Sequence, residues 1–178
     1  MGFKNSQRLD YQGLAAALDQ RGLVDGGRMQ VALTTCAQTG QPFPEILVLD
    51  DLIGDWELSR VVCELYNLPF MPVDFCTPDA DALLTFDEEF LQRHRLVPVG
   101  RFGDLITIAM PGIVPAEVLG SLAATLDLHI LPVVGTVVTN NRWLSENLTK
   151  AQPHATTRAP LPSVSISNDD YPDLPSLG

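Results

Sequence analysis

The sequence is short of positive charge, of cysteine and of long apolar runs, and each shortage excludes a class of function. Lys and Arg number 11 against 22 Asp and Glu, a net charge of −11. Such a chain repels a phosphate backbone or an anionic membrane surface. Nucleic acid is therefore excluded as a partner, while a protein with a basic face is allowed; acidity alone also serves solubility. The three cysteines, Cys36, Cys63 and Cys76, are odd in number and widely spaced, without a CxxC pair or a histidine at ligand spacing. They are expected to be buried, reduced thiols acting as small apolar residues rather than metal ligands. No apolar run reaches the roughly 18 residues of a membrane helix. Met1 to Asp10, with Lys4, Arg8 and Asp10, lacks the apolar stretch of a signal peptide. The expected location is the cytoplasm, with no direct membrane insertion.

Catalytic signatures are missing as well. No G-x-x-x-x-G-K-[ST] run occurs, so there is no backbone cradle and lysine for nucleotide phosphates. Ser59, Ser121, Ser145 and Ser163 stand in no G-x-S-x-G elbow. His94, His129 and His154 lie far apart; His94 fits a helix end and His129 a half-buried position at the start of a strand. The clusters Asp79-Ala80-Asp81 and Asp87-Glu88-Glu89 fit helix starts, where carboxylates cap N–H groups. Together with Asp169-Asp170 they give no paired acid and base. The chain is expected to be no enzyme, with no catalytic residue, cofactor or metal.

What is present is enough apolar residue for a core: 46% of 178 residues. Three regions differ in texture. Residues 10–68 are Leu- and Ala-rich and helical, 69–150 alternate strand and helix, and 151–178 form a Pro-, Asp- and Ser-rich tail expected to be disordered.

The first region repeats itself. A shift of 29 residues pairs Leu14 with Phe43, Leu18 with Leu47, Leu23 with Leu52, Val24 with Ile53, Met29 with Leu58 and Leu33 with Val62. In each copy a helix places two apolar residues four apart on one face and breaks at Gly22 or Asp51. The pair Leu23-Val24 or Leu52-Ile53 then fills the turn, and a second helix starts behind Asp25 or Asp55 as N-caps. Gln38 to Pro42 is the loop between copies.

In the second region, Leu68 to Asp74 is too proline-rich for a central strand and suits a sheet edge. A helix over Asp79–His94 is expected, then strands Leu96–Val99 and Leu105–Met110 joined by the hairpin linker Gly100 to Asp104. Pro115 opens a further helix, Ile130–Val134 is a strand, and Asn140–Lys150 the last helix. The fold class is α+β: a helical tandem repeat packed with a small α/β sandwich whose helices cover one face of the sheet.

The helical repeat, the phrase Glu64 to Phe70 leading into a strand, and Arg93 to Gly100 followed by Leu105 to Met110 together resemble a known family. It is the N-terminal domain of type II secretion and type IV pilus assembly ATPases, and the resemblance covers about Gly13 to Leu148. Some members bind cyclic di-GMP through tandem R-L-G-x-x-L-V-x-x-G-x-I-x-x-x-x-L-x-x-x-L-x-x-Q motifs. On the first copy the arginine, two glycines and glutamine fall on Gly13, Ala15, Gly22 and Cys36; on the second, on Pro42, Pro44, Asp51 and Leu65. The apolar frame is kept and nearly all ligand positions are lost. Neither glycine nor proline replaces the stacking and bidentate hydrogen bonds of a guanidinium.

The resemblance implies a regulatory or docking module without the ATPase motor, acting through a protein partner from a secretion or pilus assembly system. The alternative is a sensor of cyclic di-GMP or another nucleotide with altered ligand residues, Arg21 or Arg28 among them. The ligand-binding residues stay unknown.

Overall fold

The computed structural model describes residues 8–148; the tail expectation for 151–178, and those for Lys150, His154, Ser163, Asp169 and Asp170, lie outside the described residues. The repeat is realised as two helix pairs, α1 (Tyr11–Gln20) with α2 (Gly26–Thr39), and α3 (Phe43–Leu49) with α4 (Asp55–Tyr66). Leu14, Leu18, Phe43 and Leu47 are all fully buried. The turns also superpose in their bonding: Leu23 N–H donates to the Leu18 carbonyl at 3.0 Å, and Leu52 N–H to that of Leu47 at 2.9 Å. Both turns need a left-handed residue, Gly22 at φ 63° and Asp51 at φ 51°. The second copy thus keeps a backbone shape that favours glycine without having the glycine.

One cap expectation is corrected. Asp25 caps α2, accepting from Gly27 and Arg28 N–H at 3.0 and 3.1 Å. In the second copy Gly54 is the N-cap and Asp55 the first helical residue, as the 29-residue register itself requires. Asp55 is thereby released to serve another helix, described below.

After a short 3₁₀ turn at Val73–Phe75, the single helix expected over Asp79–His94 is two: α5 (Ala80–Leu83) and α6 (Glu88–His94). The chain leaves helical geometry because Phe86 turns into the core, and the Asp87 carboxylate, accepting from Phe90 N–H at 2.9 Å, begins a new helix. The sheet follows as β1 (Val97–Phe102), β2 (Leu105–Pro111) and, beyond α7 (Ala116–Leu126), β3 (His129–Gly135). β1 and β2 are antiparallel and β2 and β3 parallel, in the order β1-β2-β3. The expected five-residue linker shrinks to Gly103-Asp104, since Phe102 pairs with Leu105 and Gly103 takes φ 62°. The proline-rich segment does lie at the sheet edge: Phe70 bridges Val134, with Met71 N–H donating to Val134 O and Val134 N–H to Pro69 O, both at 2.8 Å.

The last helix, α8 (Val137–Asn147), starts three residues earlier than expected. Thr136 Oγ1 accepts from Thr139 N–H at 3.1 Å, and the Asp55 carboxylate accepts from Val137 and Val138 N–H at 2.8 and 2.9 Å. A carboxylate 82 residues away in sequence therefore caps this helix, and no local pattern announces it. Two apolar cores result. One gathers the sheet with α7 and α8, the other the four repeat helices, and Ile113 and Val134 from the sheet side are buried in the second.

Candidate functional site

Of the positions that would carry a nucleotide in the resembled motifs, Ala15, Pro42 and Pro44 are buried, while Gly13, Gly22 and Asp51 are exposed. A Cβ on Gly13 would meet Asp10 Oδ1 and the Tyr66 hydroxyl, both at 3.3 Å. Tyr66 Oη donates to Asp10 O at 3.2 Å, and Asp10 caps α1 through Gly13 N–H. Ala15 and Pro44 are buried, the latter against Gly112, which takes φ 79°. The arginines nearest the first turn are engaged: Arg21 pairs with Glu64 at 2.7 Å, and Arg28 donates to the Asp50 carbonyl at 3.3 Å. The Arg21 hydrogen bond holds the Glu64 carboxyl below its ordinary value. Arg28 and Asp50 also line a cavity of about 410 Å³ with Val31, Ala32 and Leu52.

Sequence reasoning missed a polar knot between α3, α6 and α8. Glu45 is buried, and its Oε1 accepts from Arg95 Nε at 3.0 Å and from Asn141 Nδ2 at 2.8 Å. Asn140 Nδ2 donates to the carbonyls of Arg95 and Ala109 at 2.8 and 3.0 Å. The knot ties the helical repeat to the sheet. A carboxylate in the first turn of α3 reads locally as a dipole complement, and only the fold brings its partners in.

It also missed an aromatic groove where α4 meets the sheet edge. Trp56 and Phe70 are 59% and 41% exposed, with ring centroids 5.2 Å apart in an edge-to-face arrangement. With Glu57, Arg60 and Cys63 they line a cavity of about 480 Å³. The elements beneath are held firmly: Asp55 caps α8, and Ser59 Oγ donates to Gly135 O at 2.9 Å. Trp56 sits in the first turn of α4, while Phe70 stands on the edge segment. Rings adjacent in space are 14 residues apart in the sequence, which is why neither stood out.

A protein-family model, the MshEN domain, matches residues 66–138. That segment is similar to an MshEN domain. Among solved structures, the chain resembles MshE with cdg at 22% identity and a TM-score of 0.55, over 75% of this chain and 96% of that one. It also resembles the N-terminal domain of XpsE at 14% identity and a TM-score of 0.60, over 82% and 97% of the two chains. A second crystal form of that domain gives 16% and 0.51 over 82% and 98%. No curated protein matches the sequence. The matched model and the solved structures agree with the resemblance drawn from the repeat and the Leu68-Pro69-Phe70 phrase; at these identities the structural likeness speaks for the fold. The MshEN segment runs from the end of α4 to the start of α8, so the aromatic groove joins Phe70, inside it, to Trp56, outside it.

The remaining expectations are met unevenly. His94 ends α6 as expected, packed on Phe90 at 4.6 Å, but burial and the Arg93 guanidinium hold its imidazole below the ordinary value rather than favouring the cation. His129 is exposed, not half-buried: it opens β3 with its side chain 80% accessible, 3.7 Å from Asp104. The first residue of this strand lies outside the packed part of the sheet. Cys36, Cys63 and Cys76 are free but only half-buried, and burial pushes each thiol up. Among the described residues no His, Cys, Asp and Glu group has the arrangement of a metal site, and no helix is long and apolar enough to cross a membrane.

Proposed function

We propose that the chain is a non-catalytic regulatory or docking module that works in the cytoplasm by binding another protein, a component of a secretion or pilus assembly system. The observation that carries this reading is the exposed Trp56–Phe70 pair at the join of α4 and the sheet edge. Large rings left in water beside a cavity are the usual anchors of protein association. The reading is supported from the other side by the motif positions, where Gly13, Ala15, Pro42 and Pro44 offer no side chain able to hold a phosphate or a guanine. A pull-down with the full chain, followed by reconstitution with the purified candidate, tests it. Direct binding of a secretion or pilus component is expected. Failure to bind any such protein, together with a stoichiometric small molecule on the purified chain, would overturn it.

A second reading keeps cyclic di-GMP or another nucleotide as ligand, favoured by the fold shared with MshE, which has been solved with cdg. Arg21 and Arg28 are the nearest guanidiniums to the first turn, and each would have to leave its present partner, Glu64 or the Asp50 carbonyl. Calorimetry with cyclic di-GMP is expected to give no saturable heat at micromolar ligand. A micromolar dissociation constant abolished by Arg28→Ala would establish the sensor reading instead.

A further inference from the structure

The groove of Trp56, Glu57, Arg60, Cys63 and Phe70 and the charge of the surface around it point to one kind of occupant. We infer that this groove takes a linear peptide segment of another protein, an aromatic or aliphatic anchor flanked by Lys or Arg; the inference rests on the docking reading and names its ligand. The cavity of about 480 Å³ accepts one or two large side chains against the two rings. Trp and its neighbours on a helix turn present such a surface without losing conformational entropy, because the Trp56 and Phe70 rings already brace each other.

Charge decides among the occupants an apolar groove would accept. Lys4 and Lys150 are the only lysines, so every Lys or Arg cation within residues 8–148 is an arginine. All of these are engaged. Arg60 is shared between Glu57 and Glu64 at 3.3 and 3.4 Å, Arg21 also holds Glu64, and Arg142 holds Asp74. Arg8, Arg93 and Arg95 pair with Glu117, Glu89 and Glu45. Arg28 and Arg101 donate to backbone carbonyls. The two arginines without a carboxylate partner, Arg28 and Arg101, do not line this groove, whereas the net charge of −11 leaves carboxylates in excess. On the groove itself, Glu57 shares its one arginine with Glu64, so an incoming cation finds an under-neutralised carboxylate beside the rings. A second copy of this chain would bring another −11 and is disfavoured. The chain's own Asn168 to Asp173 stretch, with Asp169, Asp170 and Asp173, carries the wrong sign for the same reason.

The test uses a phage-displayed library of random linear peptides panned on the full chain, with selected peptides resynthesised and titrated by fluorescence anisotropy. The expected selection is an aromatic or Leu residue with Lys or Arg close by. Trp56→Ala should weaken binding on the order of tenfold or more. Glu57→Lys, which leaves the rings in place, should weaken it several-fold and flatten its salt dependence. Both changes are at exposed positions, and an unchanged thermal melt checks that each variant is folded. Selection of acidic peptides, binding indifferent to Trp56→Ala in a folded variant, no selection at all, or a dimer of this chain dispersed by Trp56→Ala would each overturn the inference. The docking reading is judged separately, by direct binding of a whole secretion or pilus component, and survives if that binding persists in Trp56→Ala.

Discussion

Asp55 offers the sharpest test of how the two halves are joined. Its carboxylate accepts from Val137 and Val138 N–H at 2.8 and 2.9 Å, closing the N-terminus of α8 from a helix of the repeat. In Asp55→Ala two donors lose a charged acceptor. The Val138 N–H is exposed and water replaces the bond there, whereas the Val137 N–H is partly buried. Loss of an N-cap costs about 1 kcal/mol and an unsatisfied, partly buried donor about 1 more, so the variant should be less stable by about 2 kcal/mol. In a protein of this size that corresponds to a fall in Tm of roughly 4–8 °C. Asp55→Asn keeps one acceptor oxygen and should fall between. Urea unfolding would show a lower midpoint at an unchanged slope. Amide exchange at Val137 and Val138 should accelerate in Asp55→Ala but not in Asp25→Ala, whose carboxylate caps only its own helix. A variant within about 0.3 kcal/mol of wild type, where surface changes ordinarily fall, or unchanged exchange in α8, would refute the idea that this cap ties the halves together.

Three further outcomes are expected. Gly135→Ala should cost about 3 kcal/mol in urea unfolding, because its Cβ would lie 2.6 Å from Asn140 Oδ1 and 3.1 Å from Met110 O; an unaltered midpoint would contradict the packing. Asp51→Gly should raise stability by about 0.5 kcal/mol by relieving the left-handed strain, and Gly22→Ala at the equivalent turn should lower it by about 1 kcal/mol; equal effects in the two copies would show that the turns are not equivalent. Burial and Arg93 depress His94, so the folded state binds its proton less well than the unfolded chain. Stability should therefore fall as pH drops below about 6.5, and comparing urea midpoints at pH 7 and pH 5.5 should give a smaller fall in His94→Gln than in wild type.

The sequence by itself determined the repeat and its turns. Apolar residues recur at a fixed offset because each helix pair must bury the same face, and that constraint is local enough to read directly: Leu14 and Phe43, Leu18 and Leu47, Gly22 and Asp51 all fall where the register places them. The runs Leu96–Val99, Leu105–Met110 and Ile130–Val134 were legible for the same reason, as β-branched and apolar residues between turn residues, and overlap the observed strands, although β1 extends to Phe102 through part of the expected linker. What pattern alone misplaced were boundaries set by distant partners. The split between α5 and α6 follows from Phe86 entering the core, and the early start of α8 from a carboxylate on α4. Glu45 with Arg95 and Asn141, and Trp56 with Phe70, became sites only through tertiary structure. Their members are far apart in the chain, and each taken alone looks like an ordinary helix-start acid, a C-cap or a surface ring. Periodicity records which face of an element is buried; it carries no information on which other element lies across from that face, and the contacts that join the two halves of this protein are all of that second kind.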